Sequence, residues 1–168
     1  MDDNELASLA DPSFEQYFLV SPEKLALIYD AAGIRPSDRV VEIGAGVGTV
    51  ARTMPPCQSL TVVEFDRNLI DHLRRNVPHA NVIHGDGLRA ARDMAFDVLV
   101  SNLPNLVTES LIDILPELSF RVAVMAVGEH ADLGRLPAEF KVTEVATISG
   151  TDFRPAQPSV SRIVKVAR

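Results

Sequence analysis

Val40-Val41-Glu42-Ile43-Gly44-Ala45-Gly46-Val47-Gly48 joins an apolar, β-branched run to glycines at every second position. Such a run predicts a buried strand, and the glycines predict a sharp turn that a ligand can approach closely. A dinucleotide fingerprint would require glycine in place of Thr49, so this spacing fits a ligand without a pyrophosphate better. The stretch therefore indicates a ligand-binding loop at the carboxyl end of a buried strand.

Three more polar loops follow apolar runs further along the chain. They are Glu64-Phe65-Asp66, Gly85-Asp86-Gly87 and Asn102-Leu103-Pro104. Strands alternating with helices predict an α/β fold with a doubly wound, seven-stranded, mostly parallel sheet and an antiparallel C-terminal hairpin. Since the carboxyl ends of parallel strands meet at one edge of a sheet, the four loops predict a single pocket.

The predicted elements cover most of the chain. We predict strands over 39–43, 60–64, 81–84, 96–101, 121–127, 141–149 and 161–166. We predict helices over 22–32, 68–76 and 108–118, and a short one between the glycines and Pro55-Pro56. Residues 1–13 are polar and lack a capping pattern, so we predict a flexible N-terminal segment followed by one domain over 14–168.

Composition narrows the class of protein. The chain has 168 residues and is 46% hydrophobic, which suits one domain with a sizeable core. Its net charge of −7, with 16 Lys and Arg against 23 Asp and Glu, argues against a protein that grips nucleic acid unaided. Cys57 is the only cysteine, no apolar run approaches the roughly 20 residues of a membrane span, and the N-terminus is acidic. We predict a cytoplasmic protein that is not in a membrane.

The polar residues at the strand ends suit the parts of a nucleoside ligand. Glu64 follows the glycine loop by roughly the twenty residues at which an acid binds ribose hydroxyls, a group that NAD and S-adenosylmethionine (AdoMet) share. Asp86 can accept a hydrogen bond from an adenine amine, although an Asp between glycines is also an ordinary turn. His79 and His84 have no third ligand at metal spacing, so we predict no metal site.

Asn102-Leu103-Pro104 indicates a reaction on an amine. An amine on an aromatic ring is a poor nucleophile because its lone pair is delocalised. The Asn102 side-chain oxygen and the Leu103 carbonyl could accept both amine hydrogens and direct the lone pair at the AdoMet methyl. Catalysis would then be mainly positioning.

Together these residues resemble the rRNA adenine N6-dimethyltransferases, which are class I AdoMet-dependent methyltransferases with a Rossmann-like fold. The resemblance covers Phe14 to Val166. The family's Q-[N/H]-F-[L/V], E-I-G-x-G-x-G, V-E-x-D, G-D and N-L-P-[Y/F] segments correspond to Gln16–Leu19, Glu42–Gly48, Val63–Asp66, Gly85-Asp86 and Asn102–Asn105. Its closing F-x-P-x-P-x-V-x-S segment corresponds to Phe153 through Ser161, with one extra residue between the prolines.

The resemblance implies a set of site residues. AdoMet would be the cofactor, and Asn102, Leu103 and Pro104 would be catalytic. The implied cofactor-binding residues are Gln16, Tyr17, Phe18, Leu19, Glu42, Gly44, Gly46, Glu64, Phe65, Asp86, Gly87 and Asn102.

Three departures from the family concern RNA. Asn105 replaces the aromatic residue that stacks on the flipped target base. The segment around Val127-Gly128-Glu129-His130 is short where the family carries a longer basic stretch, and the chain stops at Arg168 where the family adds a helical domain. With the acidic charge, these features predict a minimal form whose acceptor is a small molecule, or is separately delivered, more readily than RNA.

Two other functions stay open from the sequence. One is an rRNA adenine N6-methyltransferase, and the other is an AdoMet-binding partner subunit without transfer activity. The sequence also leaves open a homo-oligomer, the identity of the acceptor, the number of methyl groups and the choice between N-, O- and C-methylation.

Overall fold

The computed structural model describes residues 1–168. The helices are α1 (Asp3–Leu9), α2 (Pro22–Ala32), α3 (Ile70–Asn76), α4 (Gly87–Asp93) and α5 (Asn105–Ile114). The strands are β1 (Phe18–Leu19), β2 (Arg39–Ile43), β3 (Ser59–Glu64), β4 (Asn81–His84), β5 (Val98–Asn102), β6 (Val122–Gly128), β7 (Lys141–Ile148), β8 (Phe153–Arg154) and β9 (Ser161–Ala167).

Seven strands form one sheet in the order β4-β3-β2-β5-β6-β9-β7. The first five are parallel, and β9 runs antiparallel to both of its neighbours. This confirms the predicted fold class. The order in which the chain adds strands to the sheet reverses at β2. Strand β2 pairs with β3 on one side and with β5 on the other. The crevice at such a reversal is where open α/β sheets bind their ligands.

The core lies on both faces of the sheet. Val40 belongs to a cluster of 20 buried residues that includes Ile28 of α2. Val41 belongs to a second cluster of 18 buried residues that includes Leu111 of α5. Successive side chains of β2 thus point to opposite faces, each covered by a helix, which explains why the strand is apolar throughout.

Residues 1–13 contain regular structure that the sequence pattern did not indicate. Helix α1 begins after Asp2, whose side chain accepts a hydrogen bond from the Glu5 N–H at 2.8 Å. Its Leu6 is buried in a small cluster with Phe18, Val47 and Leu69. The absence of a capped helix was therefore a wrong expectation, because Asp2 is the cap. The flexibility of this segment stays a prediction.

Proline and capping residues explain the other differences in the helices. Helix α4 was not predicted, and Asp86 caps it. Helix α5 begins at Asn105, directly after Pro104, and gives way at Leu115 to a 3₁₀ turn that contains Pro116. After the glycine loop only a 3₁₀ turn forms, over Ala51–Thr53.

The start and end of α2 follow the predicted pattern. Ser21 caps its first turn, and Gly33 closes it in the left-handed conformation at φ +52°. None of the helices has both the length and the apolar character required to cross a bilayer.

Candidate active site

A cavity of about 470 Å³ opens at the carboxyl ends of β2, β3 and β5 and at the start of α4. It is lined by every sequence-predicted site residue except Leu19: Gln16, Tyr17, Phe18, Glu42, Gly44, Gly46, Glu64, Phe65, Asp86, Gly87, Asn102, Leu103 and Pro104. The structure thus brings the four polar loops together, as the parallel strand order requires.

Leu19 does not belong to this cavity. It is fully buried in the core and pairs with Phe153 across the short antiparallel ladder of β1 and β8. Its neighbour Phe18 lines the cavity instead. Phe18 and Leu19 are successive residues of the strand β1 and point to opposite sides, so only one of these two side chains can line the cavity.

The glycine loop is pressed between β1 and the turn that follows β5. Gly44 lies at φ +73°, and a side chain there would overlap Leu103 Cδ2. Gly46 lies at φ +57°, and a Cβ there would come within 2.8 Å of the Phe18 ring. Glycine is required at both positions by the backbone conformation and by the close neighbours. The bare backbone forms part of the cavity wall.

Glu64 ends β3 and is 7% exposed. Its Oε2 accepts from the Gly46 N–H and its Oε1 from the Asp66 N–H, both at 2.7 Å. Each oxygen keeps a further lone pair for a ligand hydroxyl. Burial raises the pKa of the Glu64 carboxyl, an effect that the two backbone N–H groups oppose.

Glu42 is a second buried carboxyl beside Glu64. It is 1% exposed, and its Oε2 has no hydrogen-bond partner in the protein. Burial and the neighbouring charge of Glu64 raise the pKa of Glu42 well above its ordinary value. A buried polar atom that lacks a protein partner in a cavity wall is a natural contact for a bound ligand. This orphaned oxygen and the bare glycine loop fit a polar cofactor.

Asp86 serves both α4 and the cavity. Its Oδ1 accepts from the Leu88 N–H at 2.8 Å and the Arg89 N–H at 3.3 Å, which caps the helix. Its Oδ2 accepts no hydrogen bond from the protein. Capping and ligand binding are therefore compatible, because each uses a different oxygen of the carboxylate.

The Asn102 side chain is held in one orientation. Its Nδ2 donates to the Tyr17 carbonyl at 3.0 Å, so its Oδ1 is left as an acceptor. The adjacent Leu103 carbonyl accepts from Thr108 Oγ1 at 3.2 Å and retains a second lone pair. Two acceptors on neighbouring residues, both in the cavity wall, suit a group with two hydrogens to donate.

Sequence reasoning missed several lining residues. They include Phe14, Thr49, Asp66, Leu88, Leu106 and Val107. Asp66 holds the Gln16 side chain through a bond of 3.0 Å from Gln16 Nε2 to Asp66 Oδ2, and Phe14 packs edge-to-face on Phe65 with ring centroids 6.2 Å apart. The V-E-x-D segment contained the signal for Asp66, whereas the apolar residues give no signal without the fold.

The chain matches a known family over most of its length. The model of the family described as "Ribosomal RNA adenine dimethylase" matches residues 7–139. Ribosomal RNA small subunit methyltransferase A from Nitrosomonas europaea is 27% identical over 90% of this chain and 67% of its own length. The protein of that name from Dehalococcoides mccartyi strain CBDB1 is 29% identical over 90% of this chain and 60% of its own length.

A solved structure shows the same fold. A dimethyladenosine transferase from Plasmodium falciparum superposes with a TM-score of 0.78 at 25% identity, over 89% of this chain and 62% of that chain. The chain thus spans about 60–67% of the length of these relatives.

These similarities correct one expectation from the sequence. A small molecule was expected as the acceptor more readily than RNA, and this is wrong, because the family model and the relatives are those of ribosomal RNA methyltransferases. Net charge governs the affinity for RNA more than the chemistry of the site, so the acidic composition does not decide the acceptor. The expected enzyme class and cofactor are confirmed. The chain belongs to the ribosomal RNA adenine dimethylase family of AdoMet-dependent methyltransferases.

Proposed function

We propose that this protein methylates the N6 amine of an adenine in ribosomal RNA. The observation that carries the proposal is the oriented Asn102 amide, whose nitrogen is bound to the Tyr17 carbonyl and whose oxygen is free beside the Leu103 carbonyl. The adenine N6 amine carries two hydrogens, which matches these two acceptors. The family and the relatives' names support ribosomal RNA as the source of that adenine.

The cofactor would lie along the cavity from Asp86 to Asn102. AdoMet supplies, when bound, a methyl group on a positively charged sulfur. Glu64 would accept hydrogen bonds from the ribose hydroxyls, and the free Asp86 Oδ2 would accept from the adenine amine. The exposed Phe65 offers an apolar surface on the same side of the cavity. These roles stay proposals for the individual residues.

Catalysis in this site would rest on positioning. Asn102 Oδ1 and the Leu103 carbonyl accept the two amine hydrogens and turn the nitrogen lone pair towards the cofactor end of the cavity. No lysine, arginine or histidine lines the cavity, and its acidic residues Glu42, Glu64, Asp66 and Asp86 carry carboxyl groups, which are weak bases, so no strong base is placed there. None is required, because an alkylated amine loses its extra proton readily to water. Orientation of this kind can supply several powers of ten in rate.

Transfer of labelled methyl to ribosomal RNA tests the proposal. Small-subunit and large-subunit rRNA would each be incubated with the protein and labelled AdoMet, and the modified base identified by nuclease digestion and mass spectrometry. We expect N6-methylated adenine. Label in another base or atom would overturn the assignment of the acceptor. No label in any RNA, with AdoMet bound normally, would favour a binding subunit without transfer activity.

A further inference from the structure

A second, smaller cavity of about 90 Å³ adjoins the first. The two share a wall formed by Tyr17, Asn102, Leu103 and Pro104. A group placed in the small cavity would therefore contact the same turn as a ligand in the large one. This is the arrangement that transfer between two bound molecules requires.

Most of the remaining wall of the small cavity is polar. It includes Asn105, Gln157, Ser159 and Ser161, and Tyr17 is the only aromatic residue. A planar base in this cavity would thus meet hydrogen-bonding groups where an aromatic ring after N-L-P would offer a stacking face. The wall therefore favours hydrogen bonds to the edge of a base over stacking on its face.

The side-chain amide of Gln157 is held by its nitrogen, and its oxygen has no partner in the protein. Its Nε2 lies 2.7 Å from Ser161 Oγ, 3.0 Å from the Ser159 carbonyl and 3.2 Å from Ser159 Oγ. Its backbone N–H donates to the Gly150 carbonyl at 3.0 Å. With the amide nitrogen so occupied, Gln157 Oε1 is a preset acceptor without a partner in the protein.

Asn105 occupies space that Gly128 leaves open. A Cβ on Gly128 would lie 2.7 Å from Asn105 Oδ1, so the amide lies over the bare backbone at the end of β6. The Asn105 side chain is exposed and forms no hydrogen bond within the protein. Its amide can therefore donate to a ring nitrogen, which adenine presents beside its N6 amine.

We propose that the small cavity is the acceptor subsite and that Asn105 and Gln157 select the acceptor nucleotide through hydrogen bonds in place of stacking. Asn105 Nδ2 donates to a ring nitrogen of the adenine. Gln157 Oε1 accepts from a hydroxyl of the same nucleotide, since Asn102 and Leu103 already take both hydrogens of the amine. The inference rests on the proposed function, because it assumes that the acceptor is an adenine nucleotide.

A nucleotide titration tests the subsite without catalysis. Isotope-labelled protein would be saturated with S-adenosylhomocysteine, so that the cofactor cavity is filled, and adenosine monophosphate added while the side-chain amide signals of Asn105 and Gln157 are followed by NMR. We expect both signals to shift and saturate together. We expect Asn105→Ala and Gln157→Ala each to lower the affinity for the nucleotide by about two- to tenfold, the value of one net hydrogen bond. Asn81→Ala, on the far edge strand β4, is the matched control and should bind as the wild type does.

Deaza nucleotides identify the bond to Asn105. Replacing the contacted ring nitrogen by carbon, in 1-deaza- or 7-deazaadenosine monophosphate, should weaken binding to the wild type and leave binding to Asn105→Ala unchanged. Amide signals that stay in place, or equal affinity of both deaza compounds and the parent for the wild type, would overturn the subsite. If both amides shift but no RNA is methylated, the subsite holds and the proposed function fails. If rRNA is methylated and Asn105→Ala keeps its full kcat/KM, the function holds and the subsite fails.

Discussion

The two polar atoms of the Asn102 amide have different surroundings. The nitrogen donates to the Tyr17 carbonyl, and the oxygen has no partner in the protein and is free for the proposed acceptor. We expect Asn102→Ala to lower single-turnover methyl transfer by at least about a hundredfold, the usual cost of one aimed hydrogen-bonding group. AdoMet affinity measured by calorimetry should change little. Ser110→Ala, elsewhere on the cavity wall, should leave both quantities near the wild-type values. A transfer rate retained in Asn102→Ala would show that the amide does not orient the amine.

Glu64 holds the glycine loop as well as having the proposed role in binding the ribose. Since its oxygens already accept from Gly46 and Asp66, its removal also loosens the glycine loop. We expect Glu64→Ala to weaken the binding of AdoMet by on the order of 1.5–3 kcal/mol, the range for a hydrogen bond to a charged group. Glu64→Gln should lose less, because one oxygen remains. Calorimetric titration with a check of the fold by circular dichroism would measure both, and unchanged affinity in folded Glu64→Ala would remove Glu64 from the site.

We expect Glu42 to make the stability of the ligand-free protein depend on pH. Its pKa in the folded state is raised above the ordinary value of 4.5, so the folded protein holds a proton that the unfolded chain has lost. The free energy of unfolding should therefore fall as pH rises from about 4.5 through the folded pKa. Glu42→Gln should have a higher Tm than the wild type at pH 8 and a flatter Tm between pH 5 and 8. Parallel curves for the two proteins would contradict this assignment.

The predictability of the site residues follows from where they lie. Glu64 and Asn102 could be predicted because each is polar and directly follows an apolar strand. The lack of a hydrogen-bond partner for Glu42 Oε2 could not be predicted from the sequence, since it depends on packing from several elements. Leu19 was misassigned because a family segment was carried over as a block, without regard to the alternation of side chains in a strand.

At the scale of elements, α1 and β1 determine much of the site. Leu6 of α1 packs with Phe18, Phe18 packs over Gly46, and the Tyr17 carbonyl orients Asn102. The docking of the N-terminal segment is thereby linked to the Asn102-Leu103-Pro104 turn. The sequence indicated Tyr17 and Phe18 as site residues but gave no sign of α1, because a helix of seven residues leaves only a weak pattern.

Leu6→Ala tests that link. Loss of a buried leucine typically costs about 2–5 kcal/mol, and here we expect the loss to appear as local undocking of α1. Backbone amides in α1 should lose hydrogen-exchange protection, and AdoMet should bind more weakly. Leu9→Ala, which truncates a less buried position of the same helix, is the matched control. If α1 already exchanges without protection in the wild type, the predicted flexibility of residues 1–13 is right.

The strands were more predictable than the helices. Buried parallel strands are apolar throughout, so β2, β5 and β6 stand out in the sequence. Helix α4 could not be predicted because it is short and its cap, Asp86, was interpreted as a ligand contact or an ordinary turn. Helix α5 was predicted to begin too late, since Pro104 lies directly before its first turn.

For the whole molecule, the distribution of cations limits how it can hold RNA. Nine of the 16 lysines and arginines lie within 4.0 Å of a carboxylate, which leaves seven outside such pairs. Surface pairs of this kind contribute little to stability, but they do neutralise the positive side chains. If the chain binds RNA as proposed, we therefore expect contacts with the base to contribute more than contacts with the phosphate backbone.

We expect the isolated chain to bind ribosomal RNA with micromolar or weaker affinity near 150 mM salt. The plot of log affinity against log salt should have a slope of about −3 or shallower, because each phosphate contact contributes roughly −0.9. Fluorescence anisotropy over a range of salt concentrations measures both quantities. Nanomolar binding with a steep slope would show that a cationic surface forms on contact with RNA.

The position of β9 has a consequence for how the protein is made. Strand β9 follows β7 in the chain but lies between β6 and β7, and it is the only strand with which β7 pairs. During translation β7 therefore leaves the ribosome before its partner β9 has been synthesised. Until then, one edge of β6 has no paired strand. The nascent chain can complete its five parallel strands early. Closure of the sheet, and with it the Gln157 loop between β8 and β9, comes only once β9 has been synthesised.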